Sequence, residues 1–185
     1  PEGSGRLQAD YFLGEDLTWR FDPPRTAVRS MANPSLFCSA SIGQCDPDHY
    51  SRRYRGEADN GGVHHNSGIA NQAFYLLAEG GTGTNDGHPY DITGIGIVAA
   101  GEIAMRANTI YLTPSSQYSA SRMAWIQAAT DLGYPTKTVE DVWTAVGVAA
   151  PCYEISQTVT PPAVTTVTPG SVLGPFSTSE TNNCT

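Results

Sequence analysis

The sequence predicts a mainly α domain, with long loops before the helices and an extended or short-stranded tail after them. Three observations predict it. Four segments of helical hydrophobic period follow one another between Asn66 and Gly147. Residues 1–62 are rich in Gly, Pro, Asp and aromatics and hold no sustained helical period. From 153 to 185 the composition shifts to Thr, Val, Pro and Ser without a charge pattern. Successive helices of this kind argue for helix-on-helix packing. The expected division is a domain over 1–152 and a tail or linker over 153–185.

The first segment starts after Asn66 or Ser67, either of which suits a helix N-terminus, and carries Ile69, Ala73, Leu76 and Leu77 on one face. Gly80-Gly81 closes it. The second, about 93–112, is apolar on nearly every side (Ile95, Val98, Ile103, Met105, Ile110, Leu112), the pattern of a buried helix, and Pro114 follows it. The third, about 119–132, spaces Trp125, Ala128, Ala129 and Leu132 helically and stops at Gly133. The fourth opens at Thr138, with Asp141 three residues on as in a capping box. Val139, Val142, Trp143 and Val146 then face inward, up to Gly147. In the tail, 158–160 and 163–167 suit short strands or a linker; an extended tail tied back through Cys152 is the reading adopted.

With 185 residues the chain is long enough for one domain with a core. The net charge of -8 disfavours nucleic acid and anionic membrane as partners. No apolar run has the length of a membrane-spanning helix. The chain starts at Pro1 without a methionine, as expected of a processed, cleaved or trimmed product. Its four cysteines fall into two pairs, Cys38 with Cys45 around a short loop and Cys152 with Cys184 around the tail. An even count in loop-rich context points to disulfides and secretion, against four free thiols. Loops as long as those before residue 62 need a staple or a function, and Cys38–Cys45 is the candidate staple.

The stretch Asp59-Asn60-Gly61-Gly62-Val63-His64-His65-Asn66-Ser67-Gly68 carries the chemistry. A carboxylate five residues before a histidine fixes the imidazole tautomer and leaves the other ring nitrogen to a ligand. The glycines between them permit a sharp reversal. So placed, the imidazole stabilises negative charge developing in a transition state. The alternative is a surface Asp beside a helix-leading His in an Asn-Gly turn.

This stretch, continued by Ile69-Ala70-Asn71-Gln72-Ala73-Phe74-Tyr75-Leu76-Leu77, closely resembles the catalytic-histidine segment of the thermolysin family of zinc metallopeptidases. Arg29-Ser30-Met31-Ala32-Asn33-Pro34 and Asp46-Pro47-Asp48-His49-Tyr50 resemble strings of the same family, as do Tyr111-Leu112-Thr113-Pro114, Gln127-Ala128-Ala129-Thr130-Asp131-Leu132 and the run from Val142 to Val148. The likeness covers roughly residues 10–150, the family's α-helical C-terminal domain. It implies that His64 hydrogen-bonds the oxyanion of the tetrahedral intermediate and that Asp59 orients it. It implies that Arg29 binds the substrate carbonyl beyond the scissile bond, with Val28 lining the adjoining pocket. A guanidinium offers two parallel donors for such a carbonyl. Read from the residues alone, Arg29 has the alternative of an ion pair with Asp22 or Asp16. His65 is expected at the surface or rim, outside the chemistry.

The resemblance also implies metals. Glu2, Asp10 and Glu15 fall at calcium-ligand positions, and oxygen ligands suit that hard cation. Phe12 stands where the pattern has another carboxylate, so a single calcium is the expectation, against a solvated acidic loop. For zinc, no His-Glu-x-x-His occurs, since none of His49, His64, His65 and His88 precedes a glutamate. The family's zinc ligands and general base lie on an earlier, N-terminal domain. Catalytic zinc needs three protein ligands and a water. The expectation is therefore the C-terminal half of a secreted zinc endopeptidase, inert alone, acting on protein or peptide substrates beside that N-terminal domain. The competing expectation is a stand-alone, non-catalytic structural or binding module. Coding sequence upstream of Pro1 discriminates them: a His-Glu-x-x-His supports the peptidase, a start codon near Pro1 the module.

Overall fold

The computed structural model describes residues 9–20, 27–40, 42–149, 158–160 and 177–179. The chain divides into two units, Pro1–Ala150 and Pro151–Thr185. The first is mainly α, with its strands confined to short antiparallel pairs.

Its leading loops are cross-braced by two such pairs. β1 (Phe12–Leu13) lies against β2 (Arg29–Ser30), and β3 (Cys38–Ser39) against β4 (Gln44–Cys45). Cys38 and Cys45 are register partners and form a disulfide, so the expected staple closes this second pair. A one-turn segment, α1 (Ala58–Gly62), then leads into the helices.

α2 (Gly68–Glu79) buries the face read from its period: Ile69, Ala73 and Leu77 are fully buried and Leu76 nearly so. Gly80 ends it but does not lead to another helix. Gly80–Asn85 and His88–Thr93 form a hairpin, β5 and β6, around Asp86-Gly87. Both turn residues have positive φ (49° and 84°), which a two-residue Asp-Gly hairpin turn requires. α3 therefore begins only at Ile97 and runs to Arg106 before a wider turn over Ala107–Tyr111.

The expectation that this second helix is buried all round is corrected. α3 packs inward through Ala99, Ala100 and Ile103, whereas Val98, Met105 and Ile110 are exposed. The buried stripe is made of small side chains that let the helix approach its neighbours closely. α4 (Tyr118–Leu132) ends at left-handed Gly133, as read, although Leu132 is exposed. α5 (Thr136–Ala145) starts two residues before Thr138. Pro135 precedes its first turn, and no side chain caps it. Val139, Val142, Trp143 and Val146 are fully buried at the centre of the core, with the Trp125 ring edge-on to Trp143 at 5.1 Å. Arg122, itself buried, reaches from α4 to the Glu140 and Val148 carbonyls (3.1 and 2.9 Å) and locks the end of α5.

In the second unit, β7 (Thr158–Thr160) pairs antiparallel with β8 (Ser177–Ser179). Cys152 and Cys184 lie outside the described residues, as do the expected segment at 163–167, Glu2 and Asp22.

Candidate active site

The chain reverses at α1 through four consecutive left-handed residues: Asp59, Asn60, Gly61 and Gly62 have φ of 55°, 50°, 82° and 79°. Asp and Asn tolerate this region better than most residues, and glycine occupies it without strain. At Gly62 a Cβ would also sit 2.8 Å from the Tyr54 ring. The reversal folds the Asp59 carboxylate back over the following residues. Its Oδ1 lies 2.6 Å from His64 Nδ1, and its Oδ2 accepts the backbone N–H groups of His64 and His65 at 2.8 and 3.1 Å. Hydrogen bonding to the imidazole, aided by those two N–H groups, holds the Asp59 carboxyl below the usual carboxylate range. An ionised Asp59 makes Nδ1 the donor, which directs the remaining chemistry to Nε2. The His64 side chain is 76% exposed, so Nε2 is open to a ligand. The geometry read from the five-residue spacing is present.

Asn66 fixes the loop from behind. Its Oδ1 accepts from Tyr54 N at 2.8 Å, and its Nδ2 donates to the Tyr54 and Gly61 carbonyls at 3.0 and 3.3 Å. Its side chain therefore braces the turn instead of capping α2. Ser67 Oγ donates to the His64 carbonyl, and Tyr118 of α4 donates to the Asn66 carbonyl, both at 2.6 Å. Burial pushes the Tyr118 hydroxyl up to about 12, so it stays a donor across the physiological range.

Arg29 stands on β2 and pairs with neither acidic residue suggested by sequence. Its Nη1 lies 2.9 Å from Asp46 Oδ2, the side chains being 23% and 12% exposed. Val28 beside it is half-buried against Gly14. The other Asp46 oxygen lies 2.9 Å from His65 Nδ1. His65 is therefore not a rim residue: its side chain is 1% exposed, with the Tyr54 ring edge-on to it. Asp46 and His65 are the residues that sequence reasoning missed. Asp46 was visible within Asp46-Pro47-Asp48-His49-Tyr50, but no local pattern ties it to Arg29 or to His65, each well over ten residues away.

Among the described residues no group of three His, Cys, Asp or Glu is placed to hold a metal ion. Asp10 and Glu15 are both exposed, and Asp10 Oδ1 accepts Phe12 N at 3.0 Å. Phe12 directs its ring toward Phe37 (6.4 Å), where the family pattern has a carboxylate. The described residues do not by themselves make a calcium site, nor do they make a zinc site. No helix among them is long and apolar enough to cross a membrane.

Comparison with known proteins places this geometry. The chain is 45% identical over 145 residues to bacillolysin from Brevibacillus brevis, a match spanning 75% of this chain and 25% of that protein. It is 43% identical to thermolysin from Alicyclobacillus acidocaldarius subsp. acidocaldarius, again over 75% of this chain, and over 24% of that protein. The chain thus spans about a quarter of the length of the curated relatives it matches. Among solved structures, the precursor of protealysin, a metalloproteinase from Serratia proteamaculans, shares the fold. Its TM-score is 0.54 at 23% identity, over 77% of this chain and 42% of that one. Residues 2–148 match the family model of the thermolysin metallopeptidase α-helical domain, and the chain belongs to that family.

Proposed function

We propose that this chain supplies the oxyanion-stabilising and substrate-holding side of a thermolysin-type zinc endopeptidase. The observation that carries the proposal is the Asp59–His64 pair: a 2.6 Å contact at Nδ1 on a ring that is 76% exposed. His64 Nε2–H donates to the oxygen of the attacked peptide carbonyl as negative charge gathers there. Asp59 keeps the ring in the required tautomer and stabilises the imidazolium form. Arg29, steadied by Asp46, donates to the substrate carbonyl past the scissile bond, and Val28 lines the adjoining pocket. Zinc, held by residues outside those described, would supply the Lewis acid and the activated water. Calcium would bind only if Glu2 joins Asp10 and Glu15.

On this reading the substrates are proteins or peptides cleaved before bulky apolar residues. The whole protein is secreted, consistent with the Cys38–Cys45 disulfide. Residues 1–152 are the peptidase portion and 153–185 a tail or linker; the chain alone is inactive. The test is His64→Ala in the complete peptidase. Loss of one oxyanion donor costs about 100- to 1000-fold in kcat, and KM should change little. Unchanged kcat would remove His64 from the chemistry.

A further inference from the structure

His65 is the one buried side chain beside the proposed site that the mechanism above leaves unused. Its neighbour His64 points outward and is mostly exposed, whereas His65 points inward. A buried imidazole is costly unless something polar meets it. Here Nδ1 lies 2.9 Å from Asp46 Oδ1, in a close but poorly aligned approach, and Nε2 has no hydrogen-bond partner. Asp46 directs its second oxygen to Arg29 at 2.9 Å. The backbone N–H of His65 meanwhile donates to Asp59 Oδ2 at 3.1 Å, on the carboxylate that orients His64. One residue thus touches both acidic groups of the site, Asp59 through its main chain and Asp46 through its ring.

We infer that His65 is a positioning residue for the substrate-binding arginine: its Nδ1 fixes the rotation of the Asp46 carboxylate, and that carboxylate fixes the Arg29 guanidinium. A carboxylate held at one oxygen only can swing about its terminal bond, which is broad and roughly two-fold. Held at both, it presents a fixed acceptor. Arg29 then loses less freedom when a substrate carbonyl arrives, which lowers KM without entering the chemical step. An aliphatic side chain at 65 would fill the same buried space and leave Asp46 tethered on one side. The inference rests on the reading of Arg29 as a substrate-binding group.

The experiment uses the complete peptidase with a peptide substrate and four variants. Arg29→Ala tests the underlying reading and should raise KM at least tenfold; an unchanged KM would overturn that reading. His65→Leu should raise KM about three- to tenfold with kcat within twofold. Asparagine places its amide where Nδ1 stood, so His65→Asn should return KM to within twofold of the parent. Glutamine places its amide where Nε2 stood, so His65→Gln should resemble the leucine variant. If Arg29→Ala raises KM while His65→Leu leaves it alone, or if the leucine variant loses kcat instead, the positioning role is wrong and the Arg29 reading survives. If leucine prevents folding, the asparagine–glutamine comparison decides: equal KM values overturn the inference, and a higher KM for glutamine supports it.

Discussion

Replacing Asn66 by alanine removes three hydrogen bonds, to Tyr54 N, Tyr54 O and Gly61 O. Each such bond contributes about 0.5–1.5 kcal/mol net. The Gly61 contact is the longest, at 3.3 Å, and exposed, so it belongs at the low end. The sum is about 2–3 kcal/mol of lost stability. Asn66→Asp is the sharper perturbation, because it keeps the shape and inverts the donor. The acceptor for Tyr54 N survives, but a carboxylate oxygen now faces the Tyr54 and Gly61 carbonyls where Nδ2 had donated. Oxygen against oxygen repels, so Asn66→Asp should be less stable than Asn66→Ala at neutral pH, by about 1 kcal/mol. In acid the protonated group regains an O–H donor, and the order should reverse. Urea unfolding followed by circular dichroism reads both variants on one scale. An aspartate variant as stable as the parent at neutral pH, or an order indifferent to pH, would refute the account of how this turn is braced.

Two further outcomes are expected. Replacing Cys38 and Cys45 together by serine opens a cross-link with a sequence separation of 7 and should cost roughly 2–3 kcal/mol by chain entropy; a midpoint in urea matching the parent would mean the cross-link does not constrain the unfolded chain. Asp131 accepts from Tyr111, Gln127 and Arg106, which together lower its carboxyl to about 2. With the folded value below the unfolded one, its stabilising effect is present above about pH 4 and lost as the pH falls toward 2. Asp131→Asn should flatten the acid limb of the stability profile across that window, and an unaltered limb would contradict the assignment.

What was legible in the sequence was local. Asp59 and His64 are five residues apart, and the glycines between them announce the reversal, so the pair was readable without tertiary knowledge. The inward faces of α2 and α5 were equally readable, because large aliphatic side chains recur there at helical spacing. The β5–β6 hairpin was not, since its first strand, with Gly80, Gly81 and Gly83, has no alternation of apolar residues to betray it. Its Asp86-Gly87 turn was the available signal. α3 misled for the opposite reason: its larger apolar side chains face outward, and alanines make the packed stripe. The Arg29–Asp46–His65 connection depends on β2, the disulfide-closed β3–β4 pair and the start of α2 meeting in space. No residue's immediate neighbours encode that meeting.

The left-handed run from Asp59 to Gly62 also decides when the site becomes ordered. A histidine on an ordinary flexible loop would surrender its freedom each time a substrate arrived, and every encounter would be weakened accordingly. Here the backbone that carries His64 is already confined, by φ values few residues adopt and by a carboxylate gripping it at three points. The disorder is lost once, as the polypeptide folds, and each later encounter meets an imidazole already in place. The same confinement narrows what mutation can do there. A β-branched residue at 61 or 62 would oppose the backbone conformation itself, so the reach of His64 depends on two residues that never meet the substrate.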